Sequence, residues 1–184
     1  MMDLATARFD VGIDIRTTSV GAQHHRPSAD HHVSMHAGPP VRVSTLRARC
    51  VRSRGEINVV PAGMVEDWFE DDATEMVELR LPAALVRLAA QEMGLDPDRT
   101  GIAARCHVRD VQIEHIAWAL AAEHRANVPS GLLYRESLGM ALAVHLLARC
   151  VAPASPRSGL LQAQLARVTE YIRPGGDRGA GDPS

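Results

Sequence analysis

Apolar positions change their spacing near Glu78. Before it, short stretches rich in Val, Ile, Thr and Arg are cut by Gly, Pro, Asp and His, as in 9–15 (FDVGIDI), 41–43 (VRV) and 57–60 (INVV). Alternation with a period of two marks strands with one buried face. Some six such segments within about 80 residues, with turn residues between them, predict an antiparallel sandwich or small barrel rather than a parallel sheet with crossover helices.

After Glu78 the period lengthens to that of helices. Pro82 suits the first helical position, and Leu85, Leu88, Ala89 and Met93 share a face until Gly94 supplies a stop. Asp110 is a candidate N-cap for a second helix reaching Arg125, with Ile113, Ile116, Ala117 and Leu120 on one stripe. A third helix is predicted over 132–150 and carries two apolar stripes. The first is Leu133, Met140, Ala141, Val144 and Leu147, and the second is Leu138, Leu142 and His145. If the first packs inward, the second faces out. Leu138, Leu142 and His145, with Ile116 and Leu120 of the preceding helix, are therefore the candidate dimer interface. A Pro- and Ser-rich hinge precedes a further helical pattern over 160–172 (LLQAQLARVTEYI), and 174–184 (PGGDRGAGDPS) has too little apolar surface to order.

Composition narrows the function classes. The chain has 184 residues, a net charge of -2, 23% charged residues and 20 cations that are all Arg. A nucleic-acid binder of this size is usually basic. Cys50, Cys106 and Cys150 lack the spacing of a disulfide framework or a thiolate zinc site. The N-terminus has no apolar leader segment, and no run approaches the roughly 18 apolar residues of a membrane span. A cytoplasmic protein is expected, without a membrane partner.

Candidate chemistry concentrates around 55–63, GEINVVPAG. A glycine, five residues and then Pro-x-Gly resembles the second motif of cupins, whose metal-binding members place a histidine three positions after the glycine. Here that position is Glu66, and the upstream motif of two alternating histidines has no counterpart. No metal, catalytic residue or cofactor is expected. The adjacent pairs His24-His25 and His31-His32 point to opposite faces of a strand, so neither pair chelates. His36, beside Met35, is a pocket candidate. Trp68 and Glu66 complete that set, because a flat ring near a barrel mouth suits a small organic ligand in a chain with only 3% aromatics. Arg42, Arg47, Arg49, Arg52 and Arg54 are read as the outer face of a hairpin, and the acidic run from Glu66 to Glu75 as a solvated loop.

The order of these pieces resembles the N-terminal sensor half of AraC/XylS-type bacterial transcription regulators. The matching segments are 55–63 with Trp68, 77–90 (VELRLPAALVRLAA), 108–123 (VRDVQIEHIAWALAAE), 130–150 (SGLLYRESLGMALAVHLLARC) and 160–172. The resemblance covers about residues 30–172 and implies an α+β fold: a cupin-like antiparallel β-barrel, or jelly roll, followed by an α-helical dimerisation segment. It divides the chain into a sensor barrel with one packed helix (1–109), a helical dimerisation segment (110–150), a linker (151–159), the first helix of a DNA-binding module (160–172) and a disordered tail (173–184).

Family members sense small effectors such as sugars, aromatic acids or fatty acids, dimerise, and read promoters through two helix-turn-helix motifs that this sequence does not contain. The implied role is effector sensing and dimerisation without direct specific DNA binding. The implied partners are a small-molecule effector, a second copy and a full-length relative. A free-standing cupin-fold small-molecule-binding protein or enzyme is the alternative.

Overall fold

The structure is a computed structural model and describes residues 9–45, 49–126 and 130–153. The segments expected at 160–172 and 173–184 lie outside those residues. Eight strands come first: β1 (Gly12–Thr17), β2 (Gly21–His25), β3 (His31–His36), β4 (Val41–Ser44), β5 (Arg49–Arg52), β6 (Ile57–Val60), β7 (Glu66–Glu70) and β8 (Glu75–Leu81). Helix α1 (Ala83–Glu92) is followed by β9 (Thr100–Ile102), β10 (Arg105–Val108), α2 (Val111–Arg125), α3 (Leu132–Arg149) and β11 (Val151–Pro153).

Two antiparallel sheets make the jelly roll. One has the order β1-β8-β3-β6-β10 and the other β2-β7-β4-β5, while β9 pairs with β11 in a small separate ribbon. The turns around β6 explain the glycines of the 55–63 motif. Gly55 has φ +81° and Gly63 φ +78°, values that side-chain-bearing residues rarely adopt.

Register decides which residues share a face of the five-stranded sheet. Val33 lies opposite Leu79 and Val59, and Met35 opposite Val77 and Ile57. All six are buried in one core with Leu85, Ala89, Ile113, Leu120, Leu142 and Leu146 from the helices. The alternate residues His32, Ser34, His36, Asn58, Met76 and Glu78 therefore occupy the other face. That face looks toward the four-stranded sheet, because His25 of β2 meets His32, Cys106 of β10 meets Glu66 of β7, and Cys50 of β5 meets His107 of β10. The protein thus has an apolar core beneath its helices and a second, more polar interior between its sheets.

The helices start and stop where the sequence places them. At α1, Gly94 (φ +71°) donates to the Gln91 carbonyl and Leu95 donates back to Ala90, closing the helix end. At α2, the Asp110 side chain accepts from the backbone N–H groups of Gln112 (3.0 Å) and Ile113 (3.2 Å), as an N-cap does. Gly139 lets α3 settle onto Val11 and Leu85, which leave no room for a Cβ there.

Several expectations are corrected. The stripe of α3 assigned to the outside also faces the core, beside Leu147, Met140 and Val144 of the stripe assigned inward. Leu142 is fully buried, His145 is buried against Asp110, and Leu138 packs partly buried against the core. Leu120 and Ile116 are buried in the same protomer core. Leu133 (77% exposed) and Ala141, from the stripe assigned inward, face out. The pattern showed two apolar stripes but not their direction. Residues 66–70 form β7 rather than a solvated loop, and Arg52 points inward from its hairpin and is buried. Val151–Pro153, expected to begin a linker, pairs with β9.

Candidate functional site

The space between the sheets is polar because of what β5, β7 and β3 point into it. On the four-stranded sheet His25 lies opposite Glu66, Gln23 opposite Trp68, and Val41 opposite Arg52, so these residues share the inner face with Glu70 and Cys50. Glu70 is fully buried, and its Oε1 lies 3.5 Å from Arg52 Nη1, which is 4% exposed. Trp68 Nε1 donates to the same Glu70 oxygen at 2.9 Å, and the Arg52 guanidinium sits 5.8 Å from the Trp68 ring centroid. Two atoms of this group have no partner among the described residues: Arg52 Nε and Glu70 Oε2. Buried polar atoms normally find a partner, so this donor and this acceptor call for an explanation such as a polar ligand or water.

His36 stands at one end of the same interior. Its Nε2 contacts the Pro39 carbonyl oxygen at 2.6 Å and Thr74 Oγ1 at 3.3 Å, and its Nδ1 is buried without a partner. Of the four predicted pocket residues, Trp68, Glu66 and His36 share the polar interior. Met35 does not, since it points to the opposite face of β3 and fills the apolar core. None of the four is among the residues lining a separate cleft. That cleft, of about 810 Å³, lies against β4, β5 and β7 and is lined by Arg42, Val43, Arg49, Cys50, Phe69 and Asp71, among others.

The histidine pairs behave partly as expected. Members of each pair do point apart: His24 faces out to Asp67 at 2.7 Å, and His31 accepts from the Ala62 N–H at 3.2 Å. Yet one member of each pair turns inward, and His25 and His32 meet across the sheets with ring centroids 4.3 Å apart. Their nitrogens and a Glu78 oxygen lie within 4.8 Å of one another. Strand alternation separates neighbours within a pair but says nothing about partners on a facing sheet.

Three donors of this kind are a minimal metal set, but Glu78 is already held by Arg16, whose Nε and Nη2 lie 3.1 and 3.2 Å from its two oxygens. Burial pushes the His32 pKa down, His25 and Arg80 push it further, and Glu78 opposes them. His31 is likewise lowered by burial, with Asp30 opposing. Burial raises the Cys106 thiol, helped by the charge of Glu66 and its hydrogen bond.

Sequence reasoning missed Arg52, Glu70, Asn58, Cys50 and His107. The available signal was period two: Glu66, Trp68 and Glu70 alternate, as do Cys50 and Arg52.

No family model matches this sequence, and no curated protein matches it. Solved structures do. The crystal structure of the AraC-like transcriptional activator CuxR superposes with a TM-score of 0.55 at 12% identity, covering 92% of this chain and 64% of that one. ToxT from Vibrio cholerae superposes with a TM-score of 0.53 at 6% identity, covering 91% of this chain and 66% of that one. ToxT bound to (E)-4-(8-methylnaphthalen-1-yl)but-3-enoic acid gives 0.52 at 6% identity, with 91% and 68% covered. The chain spans about two thirds of the length of these proteins and shares its fold with AraC-like regulators.

Proposed function

We propose that this chain is the effector-sensing part of an AraC-type transcription regulator and that the effector is a small polar molecule held between the two sheets. The observation that carries this reading is the buried Arg52–Glu70 pair with Arg52 Nε and Glu70 Oε2 left open beside the Trp68 ring. A donor, an acceptor and a flat apolar surface in one enclosed place are what a small-molecule site needs. The fold shared with CuxR and ToxT supports it, as does the organic acid bound to ToxT.

The role is binding without turnover. A second copy is the expected macromolecular partner, through the outward side of α3, where Leu133 and Tyr134 are exposed large apolar side chains.

Trp68 reports on this site. The other tryptophan, Trp118, lies on α2 with the Arg54 guanidinium 4.9 Å from its ring centroid. In a Trp118→Phe variant the remaining fluorescence comes from Trp68. Titration with xylose, benzoate, palmitate and the naphthalenyl-butenoic acid should change that emission saturably for at least one of the four. No saturable change with any of them would count against the site.

A further inference from the structure

Strand β10 carries an irregularity that the effector site does not explain. Arg105 pairs with Val59 and Val108 with Ile57, so three steps along β10 match two along β6 and one residue is extra. The extra step is a bulge, a device that re-aims side chains. His107 within it has φ +54°, the only positive value for a residue other than glycine among those described, and its N–H is fixed by Asn58 Oδ1 at 2.9 Å. Neighbours on a regular strand point to opposite faces. Here Cys106 and His107 both reach across toward the four-stranded sheet, to Glu66 and Cys50 respectively.

The bulge turns His107 into the middle of a relay. Its Nε2 lies 3.2 Å from Cys50 Sγ and its Nδ1 lies 3.3 Å from Glu56 Oε2. A carboxylate oxygen that accepts from Nδ1–H leaves Nε2 as the acceptor of the ring, with its lone pair toward the thiol. Arg109 stands 3.9 Å from the other Glu56 oxygen. A nucleophile within reach of a base that a third group orients is the arrangement that activates cysteines. Cys50 also lines the 810 Å³ cleft, with Val43, Val51 and Phe69 and the charged Arg42, Arg49 and Asp71 around it, so a small reagent has a way in.

We propose that Cys50 is a nucleophilic modification site for small α,β-unsaturated carbonyl compounds, with His107 as its base and Glu56 as the positioning residue. The thiol proton passes to His107 Nε2 as Sγ forms a bond to the β-carbon. The π electrons move onto the carbonyl as an enolate, and the imidazolium returns the proton to the α-carbon. The product is a thioether, nothing is oxidised or reduced, and no group leaves. Strain in a non-glycine residue at a reactive group fits a site built for chemistry. This proposal does not depend on the effector reading, because it uses Cys50, His107 and Glu56 rather than Arg52, Glu70 and Trp68.

The test is N-ethylmaleimide labelling of the folded, full-length chain at pH 7, followed by peptide mass spectrometry. Cys50 should label at least ten times faster than Cys106, although Cys106 is the more exposed thiol. Cys106 labelling first, or both at equal rates, would overturn the proposal without recourse to any variant. His107→Gln should slow Cys50 at least tenfold and leave Cys106 within twofold, and an unchanged Cys50 rate would overturn the role of His107. For Glu56, the nitrogen-15 shifts of His107 should show the Nδ1–H tautomer in the wild type and a mixture in Glu56→Leu. An unchanged tautomer in that variant would remove Glu56 from the relay.

Discussion

Arg52 and Glu70 face each other inside the sandwich at 3.5 Å, with side chains 4% and 0% exposed, and each keeps one polar atom without a partner among the described residues. Desolvating two charges is costly, and an incompletely satisfied pair does not recover that cost well. Removing either partner leaves the other charged and buried. Arg52→Met and Glu70→Leu should each destabilise by about 3–5 kcal/mol, whereas the double variant should be neutral or up to about 4 kcal/mol more stable. Denaturant midpoints for the four proteins check this. An additive loss in the double variant would mean that the pair is needed for folding rather than kept for a ligand.

Leu142 and Leu133 should respond in opposite ways to a charge. Leu142 is fully buried in the core while Leu133 is 77% exposed on the same helix. Leu142→Asp buries an unpaired carboxylate and should cost more than about 4 kcal/mol, enough to unfold many domains of this size. Leu133→Asp should leave the melting temperature nearly unchanged and yield a monomer, where the proposed dimer gives twice the chain mass for the wild type, in light scattering at tens of micromolar protein. A wild-type monomer under those conditions would remove the second copy from the account.

Acid should weaken this fold before its carboxylates titrate. His31 and His32 both have pKa values lowered by burial from the ordinary 6.5, so between 6.5 and their folded values the unfolded chain binds more protons. Stability is then full above about 6.5 and falls as the pH drops through the folded values. His31 adds a geometric reason, since its Nδ1 accepts from the Ala62 N–H and cannot do so once protonated. The groups that face the pair are Asp30 and Glu78, which oppose the shift, and His25 and Arg80, which favour it. Thermal melts from pH 7.5 to 5 should show a falling midpoint, flatter in a His31→Asn/His32→Asn double variant. At still lower pH the Asp110 carboxylate adds a loss. Burial alone would raise its pKa, but the hydrogen bonds from His145, Ile113 and Gln112 outweigh that and lower it from 3.8.

Metal content tests the histidine cluster. With Glu78 gripped at both oxygens by Arg16, the His25–His32–Glu78 group is two imidazoles and a neutralised carboxylate. Elemental analysis after mild dialysis should find well under one equivalent of Mn, Fe, Ni, Cu or Zn per chain. In an Arg16→Ala variant the carboxylate is released, and zinc affinity should rise. Stoichiometric metal in the wild type would show that Arg16 does not compete.

The sequence carried the local elements better than their facing. Gly94 and Asp110 fix helix ends through their own backbone and side-chain chemistry where they were expected, while Pro82, expected as the first helical residue, stands one position earlier as the N-cap. The two stripes of α3 were visible, yet which residues of each are buried depends on where β1 and α1 pack, and Gly139 against Val11 marks that contact. The strands β9 and β10 were not foreseen, because three- and four-residue strands containing Gly, Arg and Cys carry little period-two signal. Trp68 and Glu66 were found from composition and motif. Glu70 and Arg52 were read as parts of charge runs, since a charged residue buried by a partner on another strand looks like an exposed one until the strands are paired. His107 depended on a bulge, which no spacing rule announces.

The most direct test of the central claim is a thermal-shift comparison of the wild type with the Arg52→Met/Glu70→Leu double variant, using xylose, benzoate, palmitate and the naphthalenyl-butenoic acid. A compound at 100 times its dissociation constant stabilises the native state by about 2.7 kcal/mol, or about 5–10 °C for a domain of this size. The account predicts such a shift for at least one compound in the wild type and its loss in the double variant, with both proteins folded. No shift with any of the four compounds, or an equal shift in both proteins, would contradict a ligand held by Arg52 and Glu70 between the sheets.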